Sequence, residues 1–97
     1  MTRKNVFDLT GRVAVVTGAS SGLGVQMAKA LAAQGADVAI LARRKEKLEA
    51  VAEEIKALGA KCLPIQCDVT DTKSIKKAAE LVEAEFGKVD ILINNAG

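Results

Sequence analysis

Tyrosine, tryptophan and histidine are absent from this 97-residue chain, and its aromatic side chains are Phe7 and Phe86 alone. So few rings leave no stacking platform for single-stranded nucleic acid, and a formal charge of +2 is too small for a polyanion-binding surface. A zinc site needs about four ligands, and without histidine Cys62 and Cys67 have nothing to complete the set. These two isolated cysteines read as reduced thiols filling the core of a cytoplasmic protein. The basic start MTRKNVFDLT lacks an apolar segment behind it, so it does not read as a secretory leader. No apolar run approaches the roughly 20 residues of a membrane span.

What is present is ordinary for a globular protein, with 49% apolar and 27% charged residues. The length suits one domain, whose core must be built from Val, Ile, Leu and Ala. Val13–Thr17 is a continuous β-branched run, the pattern of a strand buried on both faces. The spacing over 23–34 predicts a helix with Leu23, Met27, Ala30 and Leu31 inward, stopped by Gly35. A second strand is expected at Asp37–Ala42, and a helix at Lys45–Leu58 that presents Leu48, Val51, Ala52, Ile55 and Leu58 on one face. Lys61–Gln66 reads as a third strand, where Pro64 suits an edge position. Asp71 is a plausible N-cap for a helix through Phe86, with Ile75, Ala78, Ala79, Val82 and Phe86 inward, and Val89–Ile93 is a fourth strand. Strands alternating with helices of this length predict an α/β, doubly wound parallel sheet of four strands and three helices.

Ligands in such sheets sit at the carboxyl ends of the strands. There the sequence turns glycine-rich, reading VVTGASSGLGVQ over residues 15–26. Gly18 can take a turn conformation barred to other residues, and Gly22 and Gly24 carry no side chain where a pyrophosphate and a neighbouring strand must come close. The free N–H groups of the following helix point at such an anion, aided by the helix dipole. Three glycines alone are a weak signal, but these follow a strand and open a helix, which favours dinucleotide binding.

The stretch Thr17-Gly18-Ala19-Ser20-Ser21-Gly22-Leu23-Gly24 matches the TGxxxGxG signature of the short-chain dehydrogenases/reductases. Asp68-Val69 after the third strand, Asn94-Asn95-Ala96-Gly97 after the fourth, and the lead-in Asp8-Leu9-Thr10-Gly11-Arg12-Val13 fall where that family has them, so the chain resembles the family along its whole length. The longer stretch FDLTGRVAVVTGASSGLG, residues 7–24, also faintly resembles gluconate 5-dehydrogenases and 3-oxoacyl carrier-protein reductases. The resemblance implies a Rossmann-type sheet of order 3-2-1-4, with residues 1–97 forming a dinucleotide-binding half-domain, a truncated half of the fold. It further implies that Gly18, Ser20, Ser21, Gly22, Leu23 and Gly24 line the pyrophosphate and adjoining ribose. Asp68 would accept from the adenine amino group beside Val69, and Asn95, Ala96 and Gly97 would border the nicotinamide ribose. Asn94 would brace the sheet.

The end of the second strand bears on NAD against NADP. A carboxylate there would chelate the ribose hydroxyls, whereas an arginine would pair with a 2′-phosphate. The residues are Leu41-Ala42-Arg43-Arg44-Lys45, with no carboxylate, and Arg43 is the candidate phosphate partner. NADP is therefore the expected cofactor, with NAD the alternative, although Ser21 stands where many NADP-preferring relatives carry a second basic residue.

In the family the chemistry belongs to a Ser, a Tyr, a Lys four residues after it and an Asn, all beyond the NNAG motif. This chain holds no tyrosine, so hydride transfer by these 97 residues alone is not expected. The apolar fourth strand would be an exposed edge through which copies self-associate. The competing reading is a stand-alone or engineered half-Rossmann fragment that assembles but binds little or no cofactor.

Overall fold

A computed structural model of the chain describes residues 8–20 and 22–95. Four strands and three helices alternate: β1 (Val13–Thr17), α1 (Gly22–Ala33), β2 (Asp37–Ala42), α2 (Lys45–Lys56), β3 (Cys62–Gln66), α3 (Thr72–Phe86) and β4 (Ile91–Asn94). All pairings are parallel, in the order β3-β2-β1-β4. The fold is Rossmann-type, and Pro64 does lie on an edge strand.

The sheet separates two cores, as the twofold alternation of a strand demands. Ala14 and Val16 of β1 face α1 and α2, together with Val38, Ile40, Leu48, Val51 and Ile55. Val13 and Val15 face α3, with Ala39, Leu41, Ile65, Ala78 and Val82. Every residue of β1 is buried, which is why the run lacks polar alternation. Ile40, Leu48 and Ile55 are among the largest fully buried side chains. Each contributes on the order of 1.5–3 kcal/mol through removal from water. Cys62 and Cys67 are free thiols in these cores.

Helix α1 buries only part of the expected set: Leu31 packs partly buried against the core and Met27 is half-buried. Gly24, Ala28 and Ala32 form its sheet-facing row, while Ala30 is exposed and Leu23 is 62% exposed. The segment GLGVQMAKALAA is apolar nearly all round, so spacing cannot choose a face. Packing chooses the small residues, which let the helix approach the sheet closely. Helix α2 buries Leu48, Val51, Ala52 and Ile55 as expected but ends at Lys56, leaving Leu58 outside it and exposed. In α3, Asp71 caps the helix by accepting from Lys73 N at 3.0 Å, and Gly87 ends it. Ala78 and Val82 are buried there, but Ile75 and Ala79 are exposed beside an apolar groove that runs between α3 and β4.

Strand β4 starts two residues later than the apolar run suggested. Asp90 N donates to Val13 O at 2.9 Å and the Asp90 carboxylate accepts from Val13 N at 2.8 Å, so Asp90 clamps the entry to β4 from outside the strand. Val89 stays exposed. Among the described residues β4 is an edge strand, paired with β1 alone.

Candidate functional site

The parallel strands deliver four chain segments to one end of the sheet. A cleft of about 500 Å³ lies there, lined by Gly18 and Ser20 after β1 and by Arg43 and Arg44 after β2. Asp68 and Val69 line it after β3, as does Asn95 after β4. Six of the residues expected at the site, Gly18, Ser20, Arg43, Asp68, Val69 and Asn95, are thus brought together. Ser21, Ala96 and Gly97 lie outside the described residues.

The glycines divide their work. Gly18 has φ +65° and turns the chain off β1, where Ala19 N donates to Leu41 O at 3.2 Å. Gly22 opens α1 at φ +58°, and a Cβ there would meet nothing within 4 Å. Its contribution is backbone conformation. Gly24 is the reverse case, with ordinary helical backbone but no room. A Cβ at Gly24 would overlap the Gly18 carbonyl oxygen and lie 2.8 Å from its carbon and 2.9 Å from Asn95 Nδ2. Gly24 is therefore buried beneath the turn instead of lining the cleft, and exposed Leu23 does not line it either.

Beneath the cleft, Thr17 ties β1 to β4. Its Oγ1 donates to Asn94 Oδ1 at 2.9 Å and accepts from Asn95 N at 2.9 Å. Asn94 thus braces the sheet, and the same hydroxyl holds the backbone of Asn95 at the cleft. Sequence reasoning placed Thr17 only as the first letter of a motif. Its one available signal was a hydroxyl closing an otherwise aliphatic strand.

Asp68 is held below the ordinary carboxylate value, chiefly because the Thr70 hydroxyl and then the Thr70 N–H donate to it. Those bonds reach Oδ1 at 2.7 and 2.9 Å, while positive Arg43 adds a smaller electrostatic contribution. Asp68 N in turn donates to Ser74 Oγ at 2.9 Å, so α3 fixes the loop that presents the carboxylate. Ser74 went unnoticed in the sequence because an ordinary helical serine carries no signal. Arg43 is exposed at the bend after β2, and its carbonyl accepts from Gln66 Nε2 at 3.0 Å. Arg44 occupies the N-cap of α2 without capping it by a side-chain hydrogen bond.

In sheet order the cleft presents Asp68 after β3, Arg43 and Arg44 after β2, the glycine turn after β1 and Asn95 after β4, a row that suits an elongated ligand carrying anionic groups. Among the described residues no group of three or more His, Cys, Asp or Glu could hold a metal ion. No helix of the described residues is long and apolar enough to cross a membrane.

Known proteins resemble this chain over nearly its whole length. A short chain dehydrogenase of Pseudocercospora fijiensis is 48% identical over 90 residues, covering 93% of this chain and 29% of that protein. Gluconate 5-dehydrogenase of Gluconobacter oxydans is 40% identical over 97 residues, covering all of this chain and 38% of the enzyme. The crystal structure of a metagenomic short-chain oxidoreductase in complex with NADP superposes with a TM-score of 0.88 at 46% identity, over 93% of this chain and 41% of that one. The chain thus spans about a third of the length of these two curated relatives. The short chain dehydrogenase family model matches residues 12–97, from the start of β1 through the glycine turn and the cleft to the last residue, and the chain belongs to that family.

Proposed function

We propose that the chain is the dinucleotide-binding part of an NAD(P)-dependent oxidoreductase, with NADP(H) preferred. The observation that carries this reading is the composition of the cleft: Arg43 and Arg44 stand at the end of β2, no carboxylate accompanies them in that segment, and the glycine turn follows the adjoining strand β1. An arginine at that point neutralises a 2′-phosphate and donates to it in a forked geometry, whereas an acidic residue would repel it. The left-handed backbone of Gly18 and Gly22 shapes the turn on which a pyrophosphate would sit, although Gly22 itself does not line the cleft. Asp68 stays ionised and keeps an acceptor for an adenine amino group.

A bound nicotinamide supplies hydride chemistry between an alcohol and a ketone. The residues of the cleft bind and orient; the chain contains no tyrosine to serve as proton donor, so turnover by these 97 residues alone is not expected. A second copy of the chain is proposed to pair at the β4 edge, where Leu92 is 65% exposed. A dilute, monodisperse, stably folded monomer overturns that part.

Titration with NADPH and NADH, followed by nucleotide fluorescence or calorimetry, tests the main reading. Saturable binding that favours NADPH and is lost in Gly22→Asp supports it. Equal or tighter NADH binding overturns the preference, and a folded protein that binds neither nucleotide supports the fragment reading instead.

A further inference from the structure

Gln66 is the last residue of β3 and pairs in register with Ala42, the last residue of β2. The final ladder bond between these strands runs from Cys67 N to Ala42 O at 2.8 Å. One residue further on, β2 bends away at Arg43, and its carbonyl leaves the ladder. The Gln66 side chain follows it, with Nε2 donating to Arg43 O at 3.0 Å. The orientation of the amide is fixed by chemistry, since a carbonyl oxygen only accepts. Arg44 then enters α2 without a side-chain cap of its own. A side chain of β3 therefore extends the sheet by one hydrogen bond into the bend that carries both cleft arginines, while Gln66 itself does not line the cleft.

From this geometry we infer that Gln66 is a positioning residue for cofactor selectivity: it holds the β2–α2 bend so that Arg43 presents its guanidinium at the adenosine end of the cleft. The inference rests on the dinucleotide reading and adds the device that maintains its selectivity. Only the 2′-phosphate distinguishes NADP(H) from NAD(H). A residue that sets the bend therefore acts on one nucleotide, and a residue that merely supports the sheet acts on both.

Gln66→Met keeps length and volume but removes the donor. Its dissociation constants for NADPH and NADH are measured by calorimetry, with 2′,5′-ADP and 5′-ADP as probes that lack the nicotinamide half. Loss of one net hydrogen bond from the bend is expected to weaken NADPH and 2′,5′-ADP about fivefold while leaving NADH and 5′-ADP unchanged. Gln66→Ala serves as a second variant with the same expected ratio, and amide exchange of residues 43–48 in the nucleotide-free protein is expected to quicken in both. Equal weakening of all four nucleotides, an unchanged ratio, or unchanged exchange overturns the inference. Wild-type protein that binds neither dinucleotide overturns the underlying reading. A wild type that prefers NADPH, with the same NADPH-to-NADH ratio of dissociation constants in Gln66→Met, overturns the positioning role alone.

Discussion

Thr17 Oγ1 lies 2.9 Å from Asn94 Oδ1 and 2.9 Å from Asn95 N, acting as donor to the first and acceptor from the second. Thr17 is buried, whereas Asn94 is exposed and Asn95 half-buried, so the hydroxyl is held from the β1 side while its partners retain some access to water. Thr17→Val preserves shape and leaves an amide oxygen and a backbone N–H without that partner. A loss of about 1–3 kcal/mol in urea unfolding is expected, with weaker nucleotide binding because Asn95 loses its anchor. Thr17→Ser retains the hydroxyl and should keep most of both; if serine and valine behave alike, the hydroxyl is not what joins the strands.

Gly22 and Gly24 look equivalent in the motif but should fail differently. Gly24→Ala drives a methyl into the Gly18 carbonyl and Asn95 Nδ2, so turn and helix must separate. That substitution is expected to destabilise by about 1–3 kcal/mol or more and to distort the cleft. Gly22→Ala meets no neighbour, and its cost is the left-handed backbone alone, about 1–2 kcal/mol. Thermal unfolding of the two variants checks the order, and a Gly22→Ala protein less stable than Gly24→Ala contradicts it.

Much of this architecture was legible in the chain, and the exceptions share a cause. Strands β1 and β2 and the cap at Asp71 follow from local pattern, because a buried parallel strand and a capped helix each leave a mark in neighbouring residues. The inward faces of α1 and α3 do not, because burial depends on what lies opposite. Leu23 and Ile75 are apolar at helical spacing yet exposed, while Gly24, Ala28 and Ala32 are buried for being small. In the site, Arg43 and Asp68 were visible as residue types at strand ends. The bonds of Thr17 to Asn94 and of Gln66 to Arg43 were not. Those partners lie 77 and 23 residues apart, and only the sheet register brings them together.

Ile55 tests the larger core. It is fully buried between α2 and the sheet, packed in the cluster with Val38, Ile40 and Leu48. Ile55→Ala removes apolar contact and leaves a cavity that close-packed neighbours fill only in part, at an expected cost of about 2–5 kcal/mol in denaturant unfolding. The nearby exposed Leu58 provides the contrast, since Leu58→Ala should change stability by less than about 0.5 kcal/mol.

Cys62 provides a readout of opening. Burial pushes its thiol up to about 11, with nearby Lys56 opposing the shift only in part. The thiolate is the reactive form, so at neutral pH the folded protein should resist alkylation at this position. Labelling with iodoacetamide is expected to rise with urea along the unfolding curve, and fast labelling in native buffer would show that β3 opens independently of the rest.

Asp90, at the opposite end of the sheet from the cleft, is expected to add to the acid sensitivity of the fold. Its carboxyl lies below its ordinary value of 3.8, first because Val13 N donates to it and then because of Lys88, with Arg12 adding a smaller attraction. The Lys88 and Arg12 nitrogens stand 3.1 and 3.7 Å away. A carboxyl whose pKa is depressed by folding takes up protons more readily when unfolded, so its stabilisation is complete above the unfolded value and lost as pH falls through the folded one. Asp68 is shifted in the same direction and adds to the slope. The melting temperature should therefore be level from neutral pH to about 5 and fall below about 4. Asp90→Asn should lower it at neutral pH and flatten the acid decline, because asparagine keeps an acceptor for Val13 N but loses both ion pairs. An acid decline as steep in Asp90→Asn as in the wild type would assign it to other carboxylates.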